Sequence, residues 1–151
     1  MESSSLFSHK MRIFIIIIGI IIVFIFPYGY HVDLGPGPNG FMAITWELPE
    51  TQSDILPFSA LEYFIYYLYR LVVLNAIWKF SFGKMKTKRL LRHGLIAELI
   101  PILISIPGAL YLNSEGENYI PIMIPIPFLL LFTILLALYK YRVEFHSPIV
   151  T

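Results

Sequence analysis

The stretch at residues 119–139, YIPIMIPIPFLLLFTILLALY, decides how this chain is read. It is long and apolar enough to cross a bilayer as a helix, which takes about 20 residues for roughly 30 Å of hydrocarbon. Yet Pro121, Pro125 and Pro127 crowd its first third. Proline lacks the N–H that a helix interior uses, and its ring clashes with the preceding turn. The segment is therefore expected to be irregular or kinked first and a plain helix afterwards. A near copy, IPILISIP, stands at residues 100–107 with Pro101 and Pro107. All five prolines are helix-breaking, and Pro101, Pro107, Pro125 and Pro127 each free a carbonyl that needs a donor from elsewhere.

Three further apolar runs occupy residues 11–30, 58–82 and 94–112. The chain of 151 residues is 57% hydrophobic and only 14% charged, with a mean hydropathy of +0.72. That balance is unlike a small soluble domain. The Lys and Arg residues gather at the ends of the runs and between them, with Arg70 alone well inside one. Lys10 and Arg12 precede the first; Lys79, Lys84, Lys86, Lys88, Arg89 and Arg92 lie at or between the second and third; Lys140 and Arg142 follow the fourth. Residues 31–57 and 113–118 contain no Lys or Arg. By the positive-inside rule both termini and the basic loop 83–93 are cytoplasmic. The expectation is an all-α, polytopic membrane protein. It has four transmembrane helices forming one membrane domain over residues 1–151, a multi-pass protein of the plasma membrane. The 14-residue apolar core at 13–26 also suits a signal peptide, but no Ala-x-Ala-like site follows it, which favours an uncleaved first span.

The lead MESSSLFSHKMR is expected to fray. In the outer loop 31–57, GPGPNG at 35–40 is a dense turn signal. Met42, Ile44, Trp46 and Leu48 then alternate, which predicts a strand. One strand cannot stand alone in water, so these four residues are expected to lie on the outer helix ends or against another subunit.

Ionisable groups inside an apolar span are costly and mark function or assembly. Glu62, Tyr66 and Arg70 repeat at i, i+4 and i+8 and form a polar stripe, with Asn75 below them and Glu98 on the third span. With straight spans on these boundaries, Arg70 stands about 12 Å in height from either carboxylate. The carbonyl of Leu103, freed by Pro107, is then at its depth and becomes one expected partner, the other being an acid on a partner subunit. Lys84, Lys86, Lys88, Arg89 and Arg92 are expected to contact anionic lipid.

Zero cysteines exclude disulfides, thiolate metal sites and cysteine nucleophiles. There is no Gly-x-Ser-x-Gly, His-Glu-x-x-His or phosphate-binding glycine loop. His31 with Asp33 makes only two ligands for a metal. No catalytic residue and no cofactor is expected. The leading reading is a non-enzymatic membrane subunit, or an assembly or stabilising factor. It works as a homo-oligomer or with other membrane subunits, in contact with the lipid bilayer and without nucleic acid. The alternatives are a small oligomeric transporter or channel using Glu62, Arg70 and Glu98, and a lipid-modifying enzyme.

Overall fold

The computed structural model describes residues 7–33, 39–50, 56–57, 64–116 and 121–146. They form four helices and five short strands: α1 (His9–Phe24), β1 (Gly29–Asp33), β2 (Gly40–Met42), β3 (Trp46–Pro49), β4 (Leu56–Pro57), α2 (Phe64–Ser81), α3 (Thr87–Ser114), β5 (Pro121–Pro125) and α4 (Phe128–His146). The strands make one antiparallel sheet in the order β4-β3-β2-β1-β5.

This mixed helix-and-sheet fold overturns the all-α, four-span reading, and with it the multi-pass plasma-membrane topology. Among the described residues, a single helical segment, Thr87–Tyr111, is long and apolar enough to cross a membrane by length and composition. The other three fall short for separate reasons. The first apolar run does not stay helical to residue 30: α1 has 16 residues, or about 24 Å, and Gly29 already belongs to a strand. In α2, Arg70, Asn75 and Lys79 dilute the apolar content of 18 residues. In α4, the helix starts only at Phe128 and takes in Lys140, Arg142 and Glu144.

The two proline-rich copies fold differently. Around Pro101 and Pro107 the helix continues, and α3 runs for 28 residues through both. Around Pro121 and Pro125 the chain is strand β5, paired along its length with β1 from Gly29↔Pro125 to Asp33↔Pro121. Ile120, Ile122, Ile124 and Ile126 repeat with a period of two, and β-branched residues at that period favour a strand. Proline is tolerated there because β5 is an edge of the sheet, where a missing N–H breaks no second ladder. Pro127 stands just before α4, and its carbonyl accepts from the Leu131 N–H at 2.9 Å, the first bond of the helix.

The single expected strand over 42–48 is a hairpin instead. β2 ends at Met42, the Ala43 N–H donates to the Trp46 carbonyl at 2.8 Å, and β3 returns. Gly40 allows this pairing, since a Cβ there would meet the Leu48 carbonyl oxygen at 2.6 Å. The hairpin seats on the end of α1, whose last carbonyls have no intrahelical donors. Thr45 Oγ1 donates to the Phe24 carbonyl at 2.9 Å, and Trp46 Nε1 donates to the Ile25 carbonyl at 2.7 Å. Replacing Trp46 with phenylalanine is expected to keep most of the contact area and lose about 1 kcal/mol with the bond, read from the thermal midpoint.

Residues 1–6 of the N-terminal lead lie outside the described residues, and from Phe7 onward the lead is docked. Phe7 is buried, its ring 6.1 Å from Phe80 and stacked 5.6 Å from Tyr139. Ser8 caps α1 by accepting from the Met11 N–H, and Arg12 Nε donates to the Phe7 carbonyl at 3.0 Å.

Candidate functional site

The buried polar centre joins three helices and the residue that leads into β1. Arg70 on α2 is fully buried, a 0% exposed guanidinium. Its Nη1 lies 3.6 Å from Oε2 of Glu98 on α3, itself 4% exposed. The other carboxylate oxygen, Oε1, accepts from the backbone N–H groups of Leu129 and Leu130 at 3.2 and 3.3 Å. These are orphan donors in the first turn of α4. Glu98 therefore caps α4 from a neighbouring helix, where a carboxylate also meets the positive end of the helix dipole. The last wall is Tyr28, just before β1: its buried ring centroid lies 5.9 Å from Arg70 Cζ, within cation–π range.

The register of one helical hairpin makes this pair. Arg70 stands eleven residues before the end of α2, and Glu98 eleven after the start of α3. Counted from the short turn between the helices, both are therefore about 16 Å along the axis. The 12 Å offset expected from straight spans assumes that residues 87–93 are loop; they are the first turns of α3. Arg70 accordingly meets Glu98 rather than the Leu103 carbonyl, and Leu103 is 63% exposed.

Burial pushes the Glu98 carboxyl upward, and the Arg70 charge and the two backbone N–H groups oppose that. Burial likewise lowers Arg70, and Glu98 and Tyr28 oppose it. Among the described residues, no hydrogen-bond acceptor reaches the guanidinium, so charge and the aromatic face are what hold it. The pair is buried and ties helices together.

The remaining predicted residues scatter. Glu62 lies outside the described residues, as does the Tyr66 side chain, although Tyr66 belongs to α2. Asn75 is exposed and lines a groove of about 490 Å³ with Trp78 and His93. Met42 and Ile44 are buried under the sheet, and Trp46 and Leu48 are half-buried. Lys84, Lys86, Lys88, Arg89 and Arg92 come together around one open groove. Among the described residues there is no cluster of three or more metal-ligating side chains.

Sequence reasoning missed a second link between α2 and α3. Tyr69 Oη and His93 Nδ1 are 2.7 Å apart, and no spacing rule connects two residues 24 positions apart on separate helices. Burial, then the charges of Arg89 and Arg92, hold the His93 imidazole below its ordinary pKa of 6.5. The unfolded chain thus takes up this proton at higher pH than the folded one. The contribution is present above pH 6.5 and is lost as pH falls through the lower folded value. The thermal midpoint is expected to fall on acidification across that window, and His93→Gln to flatten the slope. An unchanged slope would exclude His93 as the titrating group.

The chain matches no protein-family model, no curated protein and no solved structure. The site has to be interpreted from its own geometry.

Proposed function

We propose that this chain is a non-enzymatic subunit, or an assembly or stabilising factor, of a larger or self-associated complex. The observation that carries the reading is the outer face of α1. Ile13, Phe14, Ile17, Ile20 and Ile21 repeat at helical spacing, and each is between 38% and 57% exposed. The opposite face, with Ile15, Gly19, Ile22 and Val23, is the one packed on the rest of the molecule. The two faces are equally apolar, so the outer one is built for contact with something other than water. α3 and α4 add Leu103, Leu110, Leu135 and Leu138, all at least 59% exposed. The buried Arg70–Glu98 pair suits the same role, because it fixes how three helices meet and so keeps these faces in register.

Purification in a neutral detergent, which keeps exposed apolar faces in solution, followed by light scattering tests this. The protein mass after subtracting detergent is expected to exceed the 17.5 kDa of one chain, through further copies or co-purifying subunits. The double change Ile17→Asp and Ile21→Asp is expected to reduce it to one chain while the helix content is retained. A single chain before any substitution would refute the reading.

A further inference from the structure

Between the turn at 82–86, the first turns of α3 and the N-terminal half of α4 lies an open groove of about 900 Å³. That is within the roughly 300–1,000 Å³ of small-molecule sites. Its rim carries Lys84, Lys86, Lys88, Arg89 and Arg92, five of the eleven Lys and Arg residues of the chain, and no Asp or Glu lines it. Its floor is apolar. Leu91 and Leu95 come from α3, and Leu130 and Ile134 from α4. Lys88, Leu91, Arg92 and Leu95 share one face of α3 by their spacing, and Leu130 and Ile134 share one face of α4. The two faces form a wedge that is charged at the start of α3 and greasy along its length.

Apart from Lys84, whose Nζ lies 6.0 Å from the Trp78 ring centroid, the wedge is not accounted for by contacts that hold the fold. Leu95 is 48% exposed and Ile134 36%, so the floor is open, and the five basic side chains are exposed with no salt bridge between them and any described acid. A run of cations alone is what a solvated surface shows. Cations around an apolar channel match a molecule with an anionic head and a hydrocarbon tail. The positive end of the α3 dipole, at Thr87, adds to the potential at the head end.

We propose that this groove binds one molecule of an anionic, phosphate-bearing lipid. The phosphate sits among Lys84, Lys86, Lys88, Arg89 and Arg92, and an acyl chain lies along Leu91, Leu95, Leu130 and Ile134. From Leu95 the track continues to Leu99, one turn further on the same face and 43% exposed. This site needs no partner chain and stands whether or not the chain assembles.

The test is equilibrium binding to the full chain in a neutral maltoside detergent, with lysophosphatidic acid as probe. Saturable binding of one molecule per chain is expected. Inorganic phosphate, which lacks the tail, and monoacylglycerol, which lacks the charge, are each expected to bind at least about tenfold more weakly. Lys88→Gln with Arg92→Gln is expected to weaken lysophosphatidic acid by about tenfold or more while leaving monoacylglycerol unaffected. Leu95→Gln with Ile134→Gln is expected to weaken it without changing phosphate binding. Lys84→Gln with Lys86→Gln serves as a second charge-removing pair, and circular dichroism confirms that every variant folds. Equal binding of inorganic phosphate, equal binding of monoacylglycerol, tighter binding of a single-stranded oligonucleotide, or indifference of folded variants to the loss of charge would each overturn the proposal.

Discussion

Replacing Arg70 with methionine is expected to lower the unfolding free energy by about 3–5 kcal/mol, because it leaves the Glu98 carboxylate buried with no counter-charge. Methionine keeps much of the length and apolar stem, so packing changes little and the charge dominates. The carboxylate retains its two backbone donors, Leu129 and Leu130, which moderates the loss but does not neutralise it. Glu98→Gln strands the arginine instead and is expected to cost a comparable amount. The informative variant carries both changes. The amide of Glu98→Gln would still offer a carbonyl oxygen to the first turn of α4, and no unpaired charge would remain. Replacing both members of a buried pair is often close to neutral. The double variant is therefore expected to be more stable than either single one, a coupling measurable from denaturant midpoints at constant m-value. If Arg70→Met cost under about 1 kcal/mol, the pair would be peripheral to the fold.

The second large effect separates two glycines of the same helix. A Cβ on Gly94 would stand 2.4 Å from Thr133 Oγ1 and 3.2 Å from Thr133 Cγ2. Thr133 is fully buried and its hydroxyl donates to the Leu130 carbonyl at 2.8 Å, so the side chain has nowhere to turn. Gly94→Ala is expected to destabilise by about 1–2 kcal/mol, an overpacking cost partly offset by alanine's better helix propensity. Around Gly108 nothing lies within 4 Å, so Gly108→Ala brings only the propensity and is expected to stabilise by about 0.5–1 kcal/mol. Opposite signs from one substitution on one helix identify the α3–α4 contact rather than a general property of glycine. Thr133→Ala is expected to recover part of the loss in Gly94→Ala. If both glycine variants shifted the midpoint in the same direction, the close approach at Gly94 would not be what holds α4 in place.

The Gly94 contact and the Glu98 cap lie one turn apart and act on the same helix. Thr133 packs on Gly94, and the first turn of α4 hangs on Glu98. Both fix where Leu130 and Ile134 sit, and those residues floor the basic groove. A loosened α4 is therefore expected to weaken the groove as well.

Four helical segments were legible in the sequence from their long apolar runs, and so were the deep arginine and the acid on the third run. The helical hairpin of α2 and α3 was also legible in outline, but its register was not. Reading 83–93 as a basic loop displaces Glu98, when Lys88, Arg89 and Arg92 in fact lie on the first turns of α3. Charge density alone does not separate a solvated helix from a loop, because both present Lys and Arg to water.

The prolines show where sequence stopped being sufficient. Composition and pattern by themselves marked Pro121, Pro125 and Pro127 as costly inside a regular helix, since a proline has no N–H to give and its ring crowds the turn before it, although Pro101 and Pro107 are carried inside α3 at that cost. Only the tertiary structure decided that the alternative was a strand, because a strand needs a partner and β1 lies about ninety residues earlier in the chain. Nearly the same pattern is helix at 100–107 and strand at Pro121–Pro125. Local preference is similar in both places, with Pro125 standing where the first copy has Ser105; what differs besides is that the second copy can lay its backbone along the free edge of β1, and the first sits inside a helix already running on both sides of it.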